Sequence, residues 1–189
     1  MSNITRNAIV NSFKLVAAKK EIKDITIQEI TANCGLKRQT FYNYFQDKYD
    51  LIKWMYLNEV VLKIEQDDTW IEKYKELFNY CLTNKNMVLN IYNCEAQNYL
   101  LHFITRHSKP IIKNVIDQKS LELNIEEDDK EFLCSFYSGA LGSLIINWIE
   151  NGMKEDVNNI INKVQLLLTG NISTVSYTHL RAHETVLDL

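Results

Sequence analysis

The stretch from Thr26 to Phe45 constrains this chain more than any other, because it packs a helix start, a helix stop and a second helix into a few turns. Thr26 and Glu29 have capping-box spacing: the hydroxyl can take an orphan amide and the carboxylate can reach back. Ile27, Ile30 and Thr31 fall on one face by the i, i+3, i+4 rule, so the helix they start is amphipathic but brief. Gly35 supplies the left-handed residue that ends it and turns the chain. A second helix then begins near Leu36, with Lys37, Arg38, Gln39 and Thr40 in its first turn and Phe41, Tyr42, Tyr44 and Phe45 behind them. The pattern predicts a helix-turn-helix. Two short helices around a glycine also occur in all-helical proteins that touch no nucleic acid.

What the second helix carries favours a nucleic-acid role. Lysine, arginine, glutamine and threonine at a helix start are donors suited to phosphates and base edges. Tyrosine hydroxyls beside them suit phosphate oxygens while the ring bodies pack on protein. The charge balance agrees once it is split. The chain has a net charge of −3, yet residues 1–53 hold nine Lys and Arg against five Asp and Glu, and the remainder twelve against nineteen. A basic head on an acidic body fits a molecule that meets DNA at one end.

The run Thr40-Phe41-Tyr42-Asn43-Tyr44-Phe45-Gln46-Asp47-Lys48-Tyr49-Asp50-Leu51 resembles the end of the recognition helix and the start of the fourth helix in the tetracycline-repressor (TetR/AcrR) family of bacterial transcriptional regulators. That resemblance covers roughly residues 4 to 55; beyond it, the likeness is one of length and architecture. Lys37 to Gln46 is further similar to the branch associated with dihydroxyacetone kinase operons. The resemblance implies base contacts from Lys37, Arg38 and Gln39, and phosphate contacts from Thr26, Thr40, Tyr42, Tyr44 and Lys48, with Asn43 on the same surface. Many members carry a small residue or proline where Arg38 and Gln39 stand, so no operator sequence transfers.

The rest of the chain reads as all-α. One proline, five glycines and long 3.6-period stretches leave little else. The periodicity predicts a first helix over about Ile4 to Lys20 and a long one from Lys48 to about Asp67. Shorter ones follow over Trp70–Leu82, Met87–Ile91 and Ala96–Arg106, and Pro110 restarts a helix that ends near Leu121. Glu126 to Asp129 is a charge run that suits a helix start; the next helix carries Phe132 to Trp148 and closes at Gly152. The expected fold is thus an all-α molecule. A helix-turn-helix head of three helices (1–47) would precede a helical ligand-binding and dimerisation bundle (48–173). Residues 174–189 break style and look like translated vector sequence, so they are set aside as a non-native tail.

The last two helices bear more apolar face than one protomer covers, which suggests a two-fold interface through Phe136, Leu141, Leu144, Ile145, Trp148, Val157, Ile160, Ile161, Val164 and Leu168. Regulators of this shape usually hold an effector pocket in the body, and its candidate lining is Trp54, Trp70, Tyr74, Phe78, Tyr92, Tyr99, Phe103 and Trp148. His102 and His107 are expected to be surface or core side chains. Cys34, Cys81, Cys94 and Cys134 have no metal-ligand spacing and are expected as buried free thiols, the alternative being a redox pair of Cys81 and Cys94. Neither a metal site nor a cofactor is expected. No Gly-rich phosphate loop, Gly-x-Ser-x-Gly or metal motif points to an enzyme. No run of about 18 apolar residues and no leader are seen, so the expected setting is the cytoplasm. The expected protein is a homodimeric regulator of palindromic double-stranded DNA, tuned by a small molecule or partner protein. The alternative is a coactivator of a dihydroxyacetone kinase operon that needs a separate ligand-sensing partner.

Overall fold

The computed structural model describes residues 3–64, 69–94, 97–123 and 125–168, side chains at 97–99 and 121–123 excepted. The expected helix end at Asp67, the helix start at Ala96, the side chain of Tyr99 and the tail at 174–189 lie outside the described residues. All regular structure among the described residues is helical. It consists of α1 (Asn3–Ala17), a 3-10 turn (Ile22–Asp24), α2 (Ile27–Asn33), α3 (Arg38–Tyr42) and α4 (Lys48–Tyr56), which continues through a π-helical stretch (Leu57–Val61) into α5 (Leu62–Ile64). There follow α6 (Trp70–Thr83), α7 (Lys85–Tyr92), α8 (Gln97–Leu123), α9 (Glu127–Glu150) and α10 over residues 157–168.

The chain divides into two compact units. One comprises Met1–Leu101 with Ile146–Lys154, and so holds both the helix-turn-helix and the helices up to α7. The other comprises the described parts of His102–Ile145 and Glu155–Leu189.

In the first unit, α1 buries Ile9, Val10, Phe13 and Ala17, and Ile30, Phe41, Leu51 and Met55 complete the core, every member but Val10 fully inaccessible to solvent. The buried Ser12 hydroxyl donates to the Ile30 carbonyl at 2.6 Å and accepts from Asn33 Nδ2 at 3.0 Å, which satisfies a polar group at the crossing of α1 and α2. α1 ends at Ala17, a turn earlier than the sequence suggests. Asn90 Nδ2 on α7 donates to the freed carbonyls of Ala17 and Lys20 at 2.8 and 3.3 Å, the service a helix C-terminus needs. Glu59, on the π-helical stretch, accepts from Lys14 at 2.7 Å and from the Tyr80 hydroxyl at 2.9 Å, tying α1 to α6. α6 starts in a full capping box, with Thr69 and Glu72 bonding each other's amides.

Pro110 corrects the sequence reading. It restarts no helix but lies inside the 27-residue α8. Leu100, Ile104, Ser108, Ile112 and Ile116 are all buried, each four residues from the next, while Pro110 is exposed. The buried stripe therefore runs past the proline on the other side of the helix, and its burial outweighs the missing amide. α9 is long and apolar enough, by length and composition, to cross a membrane, but half of that window is buried inside the molecule, the pattern of a core helix. It closes in a Schellman turn: Met153 N bonds Trp148 O at 2.8 Å and Gly152, at φ +75°, bonds Ile149 O at 2.9 Å.

The apolar stripe assigned to a dimer interface is mostly core. Leu141, Ile145, Trp148, Ile160, Ile161, Val164 and Leu168 are buried within the chain itself, and Leu144 and Val157 are half-buried. On α9 and α10 the large apolar side chains left outside are Phe132 (67% exposed), Phe136 (59%), Leu166 (73%) and Leu167 (53%). The heptad-like stripe fixed which residues were apolar; which neighbour covers them was a tertiary matter.

Candidate nucleic-acid interface

Helix α2 begins as its sequence dictates. Thr26 Oγ1 accepts from Glu29 N at 3.1 Å, and Glu29 in turn meets Lys20 at 3.0 Å. That contact with the Lys20 ammonium is the main reason the Glu29 carboxyl sits below its usual range. The helix ends in a Schellman motif: Gly35, at φ +68°, bonds Ala32 O at 3.1 Å, and Leu36 N bonds Thr31 O at 2.8 Å. No heavy atom approaches a Cβ position on Gly35, so backbone conformation rather than crowding calls for glycine here.

Lys37 is the N-cap of α3 rather than a member of its first turn. The aromatic run then divides. Phe41 is fully buried and Phe45 nearly so, their rings 5.6 Å apart, and Phe45 meets Trp54 edge-on at 5.9 Å. Tyr42 and Asn43 face solvent, and Tyr44 is half-buried. Around the anchor Phe41, the residues Lys37, Arg38, Gln39 and Asn43 are all exposed. Thr26 is exposed and Thr40 half-buried nearby in the sequence order of the motif. Arg38 is not loose on this face. Its Nη2 and Nε donate to the Tyr42 hydroxyl at 3.0 and 3.3 Å, one helical turn on.

Helix α4 begins at Asp47, whose carboxylate accepts from Tyr49 N and Asp50 N, both at 2.8 Å. Lys48 is placed otherwise than the resemblance implies. Its ammonium donates to the carbonyls of Ile22, Lys23 and Ile25 at 2.6, 3.0 and 3.1 Å. An ammonium has three donors, and all three serve the carbonyls around the 3-10 turn that leads into Thr26.

The aromatic residues expected to line a pocket are engaged in separate pairs. Trp54 stacks in the head, Trp70 meets Tyr74 at 6.3 Å, Phe78 meets Trp148 edge-on at 4.8 Å, and Phe103 meets His107 at 4.4 Å. Tyr92 is half-buried, its phenol raised in pKa by desolvation and then by Glu150. A cleft of about 490 Å³ opens where α1 meets the α6–α7 junction, lined by Lys14, Leu15, Leu82, Thr83, Asn84 and Met87 among others. Cys81 and Cys134 are buried, whereas Cys34 and Cys94 are only half-buried; all four are free thiols. Burial pushes the Cys81 thiol up to about 12, which leaves it protonated and unreactive at neutral pH.

A capped α2, a glycine turn and a short second helix with a polar, cationic outer face on an otherwise helical chain define a helix-turn-helix regulator. The chain belongs to the TetR-type transcriptional regulators: residues 68–170 match the family described as the transcriptional regulator C-terminal region. The HTH-type dhaKLM operon transcriptional activator DhaS of Lactococcus lactis subsp. lactis (strain IL1403) is 24% identical over 167 residues, spanning 85% of this chain and 89% of the relative. Among solved structures, the dihydroxyacetone kinase operon activator DhaS superposes with a TM-score of 0.77 at 22% identity, covering 92% of this chain and 98% of its own. The regulator FadR from Bacillus subtilis, solved in complex with stearoyl-CoA, gives 0.60 at 19% identity, covering 87% and 97%. These structural likenesses establish the fold.

Arg6, whose guanidinium lies over the Tyr44 and Trp54 rings, is a residue that sequence reasoning did not single out. Nothing in its local pattern marks it, since it is a single arginine in the first turns of α1.

Proposed function

We propose that this regulator binds palindromic operator DNA as a homodimer in the cytoplasm, with α3 of each protomer in the major groove. The observation that carries this reading is the two-sidedness of α3: Phe41 locks it to the core while Lys37, Arg38, Gln39 and Asn43 stand outward. Arg38 and Gln39 then read bases, with Lys37 beside them, while Thr26, Thr40, Tyr42 and Tyr44 engage phosphates. The Tyr42 hydroxyl, which accepts from Arg38, keeps its own O–H to donate to a phosphate. Lys48 contributes by holding the 3-10 turn and hence Thr26 in place. Two heads read half-sites about one DNA turn apart. The dimer face is built around Phe132, Phe136, Leu166 and Leu167, whose exposure is costly for a lone protomer.

Selection of bound sites from a random duplex pool with the purified protein tests this. An enriched inverted repeat is the expected result; no enrichment from a folded dimer sinks it. Arg38→Ala should then cost about 1–3 kcal/mol and relax specificity at one position. Phe132→Ser with Phe136→Ser should give a folded monomer in analytical ultracentrifugation.

A second reading is supported by the body. Tyr74, Phe78 and Trp148 are buried, and Phe78 packs edge-on against Trp148 at 4.8 Å. A coactivator whose ligand is sensed by a partner protein fits that packing, and the similar DhaS is itself an operon activator. In this case site selection succeeds only when the partner is added.

A further inference from the structure

The Arg6 guanidinium carbon lies 5.4 Å from the centroid of the Tyr44 ring and 5.3 Å from that of Trp54. The cation of α1 thus meets one ring from the α3–α4 turn and another from α4. Its Nε is buried without a hydrogen-bond partner, a cost that two aromatic faces help to offset. Trp54 leans on Phe45 and Phe45 on Phe41, the anchor of α3. A continuous line of ring contacts therefore runs from Arg6 to the helix that carries Lys37, Arg38 and Gln39.

We propose that Arg6 is a positioning residue of the DNA interface: lying against Tyr44 and Trp54, it fixes the Tyr44 ring before DNA arrives. This rests on the reading above in which Tyr44 engages a phosphate. A tyrosine free to turn loses rotamer freedom on binding, whereas one held against a guanidinium has lost it already, so affinity rises without an added contact. Arginine suits the task because its planar, weakly hydrated cation lies against rings, where a lysine offers only a compact charge. The role differs from that of a phosphate-binding arginine in one measurable way. A direct contact adds about one ion to the salt dependence of affinity, and a positioning residue leaves the slope alone.

The experiment is duplex affinity against salt concentration for the full chain and for Arg6→Met, Arg6→Lys, Tyr44→Phe and the Arg6→Met/Tyr44→Phe double variant. Thermal unfolding of each is recorded alongside. Expected are a roughly tenfold loss for Arg6→Met at unchanged slope, partial recovery in Arg6→Lys, and a double variant no weaker than Tyr44→Phe alone. Multiplying losses in the double variant would overturn the proposal, because Arg6 would then act independently of Tyr44. A slope reduced by about one ion in Arg6→Met, restored in Arg6→Lys, would make Arg6 a phosphate contact instead. If Arg6→Met does not fold, the comparison of Arg6→Lys with Tyr44→Phe still decides, full affinity in Arg6→Lys with a loss in Tyr44→Phe telling against positioning by stacking. Failure of the wild-type chain to bind any duplex would remove the DNA reading itself, an outcome distinct from binding that is indifferent to Arg6.

Discussion

Gly35 and Pro110 are both helix breakers by local chemistry, yet α2 stops at the first and α8 runs through the second. At Gly35 the polar turn is offered nothing better. The left-handed residue closes two backbone bonds, and the chain is free to start α3. At Pro110 a stripe of five buried positions, spaced four apart, continues on both sides of the breaker. Interrupting the helix would expose that stripe. The lost amide bond and ring clash cost about 3 kcal/mol, and burying two or three isoleucines or leucines is worth more than that. A local signal decides structure only where no long-range burial opposes it.

Alkali should show the same dominance of burial most strongly, in the packing of α4 and α6. Tyr56, Tyr80 and Cys81, around α4 and α6, are raised in pKa chiefly by burial. A raised pKa means stability that is complete below the unfolded value and lost as pH climbs past it. Circular dichroism should therefore show stability constant near neutrality and falling from about pH 9, the ordinary thiol value, upward. A flat profile to pH 11 would show that these groups reach water.

Phe41→Ala comes next. It removes the anchor of α3 and should cost about 3–5 kcal/mol in urea unfolding, a loss the head could not absorb by local signals alone. Pro110→Ala should raise stability by about 1–3 kcal/mol, since the stripe already holds α8 and the proline only costs. A decrease would mean that the proline supports its surroundings. Lys48→Met, which removes three donors from the carbonyls near Thr26, should lower stability by about 1–3 kcal/mol while leaving the salt slope of DNA binding nearly unchanged. A slope lower by one ion at full stability would return Lys48 to the phosphates. Gly35→Ala is the mildest, about 1 kcal/mol, because nothing crowds a Cβ there and only the left-handed backbone is strained.

Much of the head was legible because its determinants are neighbours in sequence. Thr26 caps three residues on, the Gly35 turn closes by bonds reaching back three and five residues, and Asp47 caps α4 within three. The division of the aromatic run was half legible: periodicity could show that Phe41 and Phe45 share a face, not that Tyr44 would meet Arg6. The body was legible as helices and hardly at all as surfaces. Leu141, Ile145 and Val164 looked like interface because a stripe declares only that it needs covering. Trp54, Phe78 and Trp148 were legible as apolar aromatics, but not the ring of its own chain that each meets.

By itself, then, the sequence determined that this chain is helical, where its short helices start and stop, and which end carries the cationic recognition face. Caps, turns and periodicity act over a few residues, so they are written where they act. Only the tertiary structure decided that α8 ignores its proline, that Lys48 serves three carbonyls, that Phe132 and Phe136 rather than Leu141 stay outside, and that Arg6 lies between two rings. Each of those joins residues far apart in the chain, and the free energy that selects among such partners belongs to the packed whole rather than to any local run of residues.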